Sequence, residues 1–122
     1  MTSPIPSGAG DELYAWLTTT GRRTGLPRTV ELWFVLKGKT LYLLSGGGER
    51  AHWVLNAGAD PRVSVRMGSS DYTGVARRPE PGGDEEINAR QSMAAKYQGW
   101  QEGRALSSWA ARSTCLAVDL AE

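Results

Sequence analysis

From Thr29 to Lys37 every second residue points one way: Val30, Leu32, Phe34 and Leu36 share one face, with Glu31, Trp33, Val35 and Lys37 opposite. A period of two belongs to an extended strand with one face buried, and a helix cannot reproduce it. Lys37-Gly38-Lys39 reads as a hairpin turn and Thr40 to Ser45 as the returning strand. The pattern recurs after Pro61, where Val63, Val65 and Met67 alternate with Arg62, Ser64 and Arg66. A turn from Gly68 to Asp71 brings Tyr72 to Arg77 back as its partner, and Thr114 to Leu120 reads as a closing strand. Short sequential antiparallel strands of this kind predict an all-antiparallel sheet rolled into a small barrel.

Between the strands the signals turn helical. After Ser45-Gly46-Gly47-Gly48 a short helix is expected from Glu49 to Ala57, ended by Gly58. Arg78-Pro79-Glu80-Pro81-Gly82-Gly83 is a linker, Asp84, Glu85 and Glu86 favour a helix start, and Gly99 suggests its end. Leu13 to Thr20 reads as a helical turn running into a strand, and Trp100 to Ala111 is ambiguous. The fold class is therefore α+β: a small antiparallel barrel with two or three short flanking helices. With 122 residues the chain makes one domain, expected over 11–122, behind a loose Pro/Ser/Gly-rich arm over 1–10.

Charge and cysteine usage exclude several functions. Residues 1–78 hold ten Lys/Arg against six Asp/Glu, whereas 79–122 hold four against seven. That balance is too mild for nucleic-acid binding, which neutralises many phosphates, but it suits one anionic ligand on the first part. One His and one Cys make no ordinary zinc site. The lone Cys115 fits a reducing compartment, and no apolar run spans a bilayer, so a cytoplasmic protein is expected.

Two elements carry candidate chemistry. In Gly21-Arg22-Arg23-Thr24-Gly25-Leu26-Pro27-Arg28-Thr29, the glycines are free to take positive φ and let backbone N–H groups converge on an anion. Arg22, Arg23 and Arg28 add forked donors for phosphate or carboxylate. The turn is no P-loop and no dinucleotide fingerprint, because no helix follows it. On the expected short helix, Ala51, Val54, Leu55 and Gly58 make a core face. Glu49, His52, Trp53 and Asn56 make a second stripe able to line a planar ligand. A solvated loop and a half-buried tryptophan are the plain alternatives for these two elements.

The run Leu17-Thr-Thr-Thr-Gly-Arg-Arg-Thr-Gly-Leu-Pro-Arg-Thr29, followed by Trp33, Ser45-Gly46-Gly47 and His52-Trp53-Val54-Leu55-Asn56, resembles the deazaflavin-dependent nitroreductase/quinone reductase family. The likeness covers roughly residues 13–78 and extends more loosely through the C-terminal helix and strand. It implies the split β-barrel shared with pyridoxamine phosphate oxidases and a site for the deazaflavin coenzyme F420. On that likeness Arg23 and Arg28 bind the phosphate, and Thr29, Val30, Glu31 and Trp33 lie along the ring. Ser45, Gly46 and Gly47 approach the tail or phosphate, and Trp53 and Asn56 close the pocket. Gly46 stands where many relatives carry a lysine, and Arg50 is the cation at hand to replace it. Tyr72, Tyr97 and Trp100 are substrate-facing candidates by position. The implied activity is hydride transfer from reduced F420 to a small electron-poor acceptor: a quinone, nitroaromatic or activated enone. No residue is assigned as an obligatory catalytic acid, since a backbone N–H, water or tyrosine suffices. An FMN-dependent reductase on the same barrel and a non-catalytic carrier of a planar ligand are the alternatives. Relatives often pair their sheets face to face, so a homodimer is expected.

Overall fold

A computed structural model describes residue 5 and residues 8–121 of the chain. Seven strands form one sheet: β1 (Ala15–Thr20), β2 (Pro27–Leu32), β3 (Val35–Lys37), β4 (Thr40–Ser45), β5 (Arg62–Met67), β6 (Ser70–Arg77) and β7 (Thr114–Leu120). Three helices accompany them, α1 (His52–Ala59), α2 (Asp84–Gln98) and α3 (Ser108–Arg112). The spatial order is β2-β1-β5-β6-β7-β4-β3, with every pair antiparallel. Of the expected arm, residues 1–4, 6 and 7 lie outside the described residues, while Ile5 and Ala9 pack against the core. The helical turn expected near Leu13 falls earlier, as a 3-10 turn at Ala9–Asp11.

The strand order dictates the curl. β2 and β3 are opposite edges of the sheet, yet only Trp33 and Phe34 separate them in the chain. Three consecutive Cα steps reach at most about 11 Å. In a flat sheet of seven strands the edges would stand about 29 Å apart. The sheet therefore rolls until its edges approach at that corner, giving a split barrel. The single strand expected from Thr29 to Lys37 is thus two strands with a bend between them. Its alternation nevertheless survives the bend: Val30, Leu32, Phe34 and Leu36 all pack on the inner cluster, while Val35 belongs to the outer one.

Two hydrophobic clusters fill the two sides. Leu17, Phe34, Leu41, Leu43, Val63, Val65, Met67, Leu116 and Val118 pack inside the curl, capped by Trp53 and Val54 of α1. Val35, Tyr42, Leu44, Cys115 and Ala117 face outward onto Ala89 and Met93 of α2. β4 is thus buried on both faces, which explains the unbroken run Leu41-Tyr42-Leu43-Leu44 where alternation fails. Burial pushes the Cys115 thiol up to about 11.

Both ends of α2 are fixed by polar contacts. At its start Arg77 donates to Glu85 Oε1 and Oε2 at 2.8 and 2.6 Å and to Asp119 Oδ2 at 2.7 Å, while the Tyr42 hydroxyl donates to Glu85 Oε2 at 2.6 Å. The Arg77 guanidinium first, and the Tyr42 hydroxyl second, hold the Glu85 carboxyl down at about 2. Burial, reinforced by Glu85, raises Tyr42 to about 12. At the other end Gly99 takes φ +67°, closing α2 as a left-handed cap.

Candidate functional site

The β1–β2 hairpin closes at the Thr20–Pro27 pair, leaving the basic turn over residues 21–26. Gly21 N–H donates to Leu26 O and Gly25 N–H to Gly21 O, both at 2.8 Å, and Leu26 N–H donates to Thr24 Oγ1 at 3.2 Å. Gly25 takes φ +72°, as its glycine permits. Gly21 does not; it is glycine for room, because a Cβ there would stand 2.8 Å from Thr24 Oγ1. Arg22 N–H donates to Asn56 Oδ1 at 3.2 Å. Four of the turn's N–H groups therefore serve the protein itself. None of these four is left for an anion; within the turn the N–H groups of Arg23 and Thr24 have no protein partner among the described residues.

The arginine side chains divide into two sorts. Arg22 is tied down: its Nη1 donates to Asn56 Oδ1 at 2.8 Å and its Nη2 to His52 Nδ1 at 3.3 Å. Because a guanidinium only donates, His52 Nδ1 must accept, which leaves its proton on Nε2. Asn56, 3% exposed, also donates from Nδ2 to Thr19 Oγ1 at 3.3 Å. The asparagine thus anchors the turn to α1 and spends both ends of its amide doing so. Arg23 and Arg28 are different. Both are exposed, and among the described residues neither guanidinium has a hydrogen bond or ion pair. They border a cavity of about 590 Å³ whose wall includes Thr24, Thr29, Val30, His52, Trp53 and Asn56. Two uncompensated guanidinium groups beside an apolar surface of Val30 and Trp53 suit a ligand with an anionic end and a flat body.

α1 begins three residues later than expected. Gly48–Arg50 forms a 3-10 turn, Ala51 is extended, and the α-helix starts at His52. The buried face also differs from the expected one. Trp53, Val54, Asn56 and Ala57 are buried, while Leu55 and Gly58, expected in the core, face solvent. Glu49, expected beside His52, pairs instead with Arg78 at 3.3 Å.

β2 leads away from this cavity into a second cleft. The cleft holds about 690 Å³ and is lined by Tyr14, Glu31, Leu32, Trp33, Leu44, Gly46, Gln98 and Trp109. The Trp33 indole stacks on Tyr97 with centroids 4.4 Å apart and planes 3° from parallel, and meets Trp109 edge-on at 5.4 Å. Gly46 lets this happen, because a Cβ would come within 3.2 Å of the Trp109 ring. The Tyr14 hydroxyl makes no hydrogen bond among the described residues.

Among the sequence-predicted residues, Arg23, Arg28, Thr29, Val30, Trp53 and Asn56 meet at the first cavity, and Glu31, Trp33 and Gly46 at the second. Ser45 and Gly47 line neither; the Ser45 hydroxyl donates to Gly48 O at 3.0 Å and holds the glycine corner. Tyr72 is buried in the core, and Trp100 donates its indole N–H to Arg104 O at 2.8 Å. Tyr14 and Trp109 are the aromatic wall residues that sequence reasoning missed. They lie at the two ends of the chain, and only the closed barrel puts them together.

Comparison with known proteins bears on the family and the fold. The family model described as F420H(2)-dependent quinone reductase matches residues 8–118. A solved reductase dependent on reduced F420 superposes with TM-score 0.65 and 24% identity, over 97% of this chain and 99% of that one. A pyridoxamine 5'-phosphate oxidase-like protein of Listeria innocua gives TM-score 0.69 and 16% identity, over 93% and 88% of the two chains. A structure described as a domain-swapped dimer gives TM-score 0.66 and 26% identity, over 87% and 79%.

Proposed function

Because the chain belongs to the F420H(2)-dependent quinone reductase family, we propose that it uses reduced F420 to reduce a small, planar, electron-poor acceptor, with a quinone as the preferred class. The residues present fit the coenzyme. Arg23 and Arg28 hold its phosphate, and Val30, Trp53 and the backbone of β2 hold its flat body. When bound, F420 supplies the hydride, so the demanding chemistry is the coenzyme's own. The chain contributes position. Residues 29–33 run about 14 Å from the cavity to the aromatic cleft, so one strand borders both. Trp33 and Trp109 offer the acceptor two indole surfaces at right angles, a shape that takes a flat ring and excludes water. The Tyr14 hydroxyl stands in the same wall as a donor to an oxygen that gains charge.

The observation that carries this reading is the pair of arginine guanidinium groups without protein partners beside an apolar cavity. The test is oxidation of reduced F420 by 1,4-naphthoquinone, a nitroaromatic and an activated enone in parallel, followed by deazaflavin absorbance. Naphthoquinone should turn over fastest. A protein that binds F420 but accelerates none of the three is a carrier.

A homodimer completes the proposal. The outer face of β1, β5 and β6 carries a shallow depression of about 660 Å³ bordered by Thr18, Thr20, Arg62, Ser64, Thr73 and Val75. Val75 is 52% exposed there. A second copy of the sheet would cover it, and the domain-swapped neighbour supports pairing. A sedimentation mass near 13 kDa at micromolar concentration would contradict this. We also propose a cytoplasmic setting, with which the single buried thiol of Cys115 is compatible. Among the described residues no helix is long and apolar enough to cross a membrane.

A further inference from the structure

The bend that closes the barrel has a chemical need that the sheet does not meet. β2 ends at Leu32 and β3 begins at Val35, so Trp33 and Phe34 have no strand partner. Phe34 is fully buried, and a buried backbone amide and carbonyl require partners. Both come from the last turn of α2. The Tyr97 hydroxyl accepts from Phe34 N–H at 3.0 Å, and its own proton faces Phe34 O and Leu13 O, each at 2.9 Å. Lys96 Nζ donates to Phe34 O at 2.9 Å, Gly10 O at 2.9 Å and Glu12 O at 2.8 Å, and lies 3.8 Å from the Phe34 ring centroid. The Tyr97 ring then lies flat on the Trp33 indole. One side chain thus grips the bend twice, by its hydroxyl on the Phe34 backbone and by its face on the neighbouring indole.

We propose that Tyr97 is a positioning residue: it fixes the plane of the Trp33 indole and thereby sets the width of the acceptor cleft, without touching the acceptor. Tyr97 does not itself line that cleft. Trp33 lies outside any ladder, so no cross-strand neighbour restrains its rotamer as it would within a sheet. The stacked ring supplies the restraint, and Trp109 meets the indole edge-on. The hydroxyl holds the bend, and the ring holds the indole, so the two contributions are separable. The proposal rests on reading this cleft as the acceptor site.

Tyr97→Phe and Tyr97→Leu separate them, with Tyr97→Met in place of leucine should that variant fail to fold. Each is measured for KM and kcat with 1,4-naphthoquinone, for F420 affinity by titration, and by near-ultraviolet circular dichroism without coenzyme. The phenylalanine variant keeps the stack, so its naphthoquinone KM should stay within about twofold of the parent. The leucine variant should raise KM about three- to tenfold, the loss expected of one aromatic pair, with kcat and F420 affinity nearly unchanged. It should also lose the near-ultraviolet signal of the stacked pair. In a Trp33→Leu background the same substitution should leave KM unchanged. Three results overturn the proposal: an unchanged KM in a folded leucine or methionine variant, equal effects of phenylalanine and leucine, or parallel loss of F420 affinity. If the parent itself binds F420 but does not reduce naphthoquinone, the reading of the cleft fails and takes the proposal with it. Turnover by the parent with any of those three results removes the positioning role alone.

Discussion

Arg28 and Arg22 stand six residues apart around one turn, and replacing each by alanine should produce opposite results. Arg28 sits in β2 on the same face as Val30, exposed and with no protein partner for its guanidinium among the described residues. Its removal leaves nothing in the fold unsatisfied, so folding stability should shift by less than about 0.5 kcal/mol. If it holds the coenzyme phosphate, the lost charge-assisted contact costs about 1.5–3 kcal/mol, a roughly ten- to hundredfold weaker F420 affinity. Arg22 is the reverse case. Its Nη1 and backbone N–H both donate to the buried Asn56 Oδ1. Truncating the side chain removes the shorter of those bonds and the contact with His52, and should destabilise folding by about 1–2 kcal/mol. F420 titration and urea unfolding of both variants, with Lys37→Ala as a control, give the two readouts. Raising the salt should weaken the parent more than Arg28→Ala, since screening acts on the charge already removed. If Arg28→Ala binds F420 like the parent, with the same salt dependence, the phosphate site is misassigned. If Arg22→Ala leaves stability untouched, the anchor through Asn56 is wrong.

The remaining expectations concern the frame that holds the site. Glu85, held at about 2, contributes stability that is fully present above its ordinary value near 4.5 and lost as pH falls toward 2. Glu85→Gln should flatten that acid limb by about 1 kcal/mol, because both partners of the Arg77 pair are more than a third exposed and solvent screens them. An acid limb unchanged in the variant would remove the network from the account. Tyr42, raised to about 12, contributes in the opposite direction: its share is intact below pH 10 and lost as pH rises through 12. Gly74→Ala would put a Cβ 2.7 Å from Val118 Cγ1 and 2.8 Å from Asp119 O, so the melting temperature should drop, with a cost of about 1–3 kcal/mol. A neutral Gly74→Ala would mean that β6 and β7 pair in another register.

What could be read from residues alone follows the range of the forces involved. β4 and β7 fall where the sequence puts them, and β5 and β6 within two residues, because alternation and turn glycines are local signals. Gly38 and Gly68 each take φ +61° in two-residue hairpin turns, as their identity suggests. The bend at Trp33–Phe34 was not legible. Its alternation continues smoothly through the break, and only the pairing of β3 with β4 on the far edge reveals it. The start of α1 was missed because the glycines before it permit a 3-10 turn that uses up Glu49 and Arg50. The basic turn was visible as chemistry. Which of its arginines is tied to the fold depended on Asn56, more than thirty residues away. Trp109 and Tyr14 carried no local signal, since a cleft between distant segments exists only after the barrel closes.

The cofactor assignment is tested most directly by titrating the purified protein in parallel with F420 and FMN, following absorbance and fluorescence. Both ligands offer a flat ring and a phosphate, so on the proposed reading both address the cavity of Val30, Trp53, Arg23 and Arg28. F420 adds an oligoglutamate tail, whose carboxylates extend the charge that these unpaired arginines attract. The expected result is saturable binding of F420 with an affinity above that for FMN, and a preference that narrows as salt is raised. An FMN affinity equal to or better than that for F420 would contradict the account.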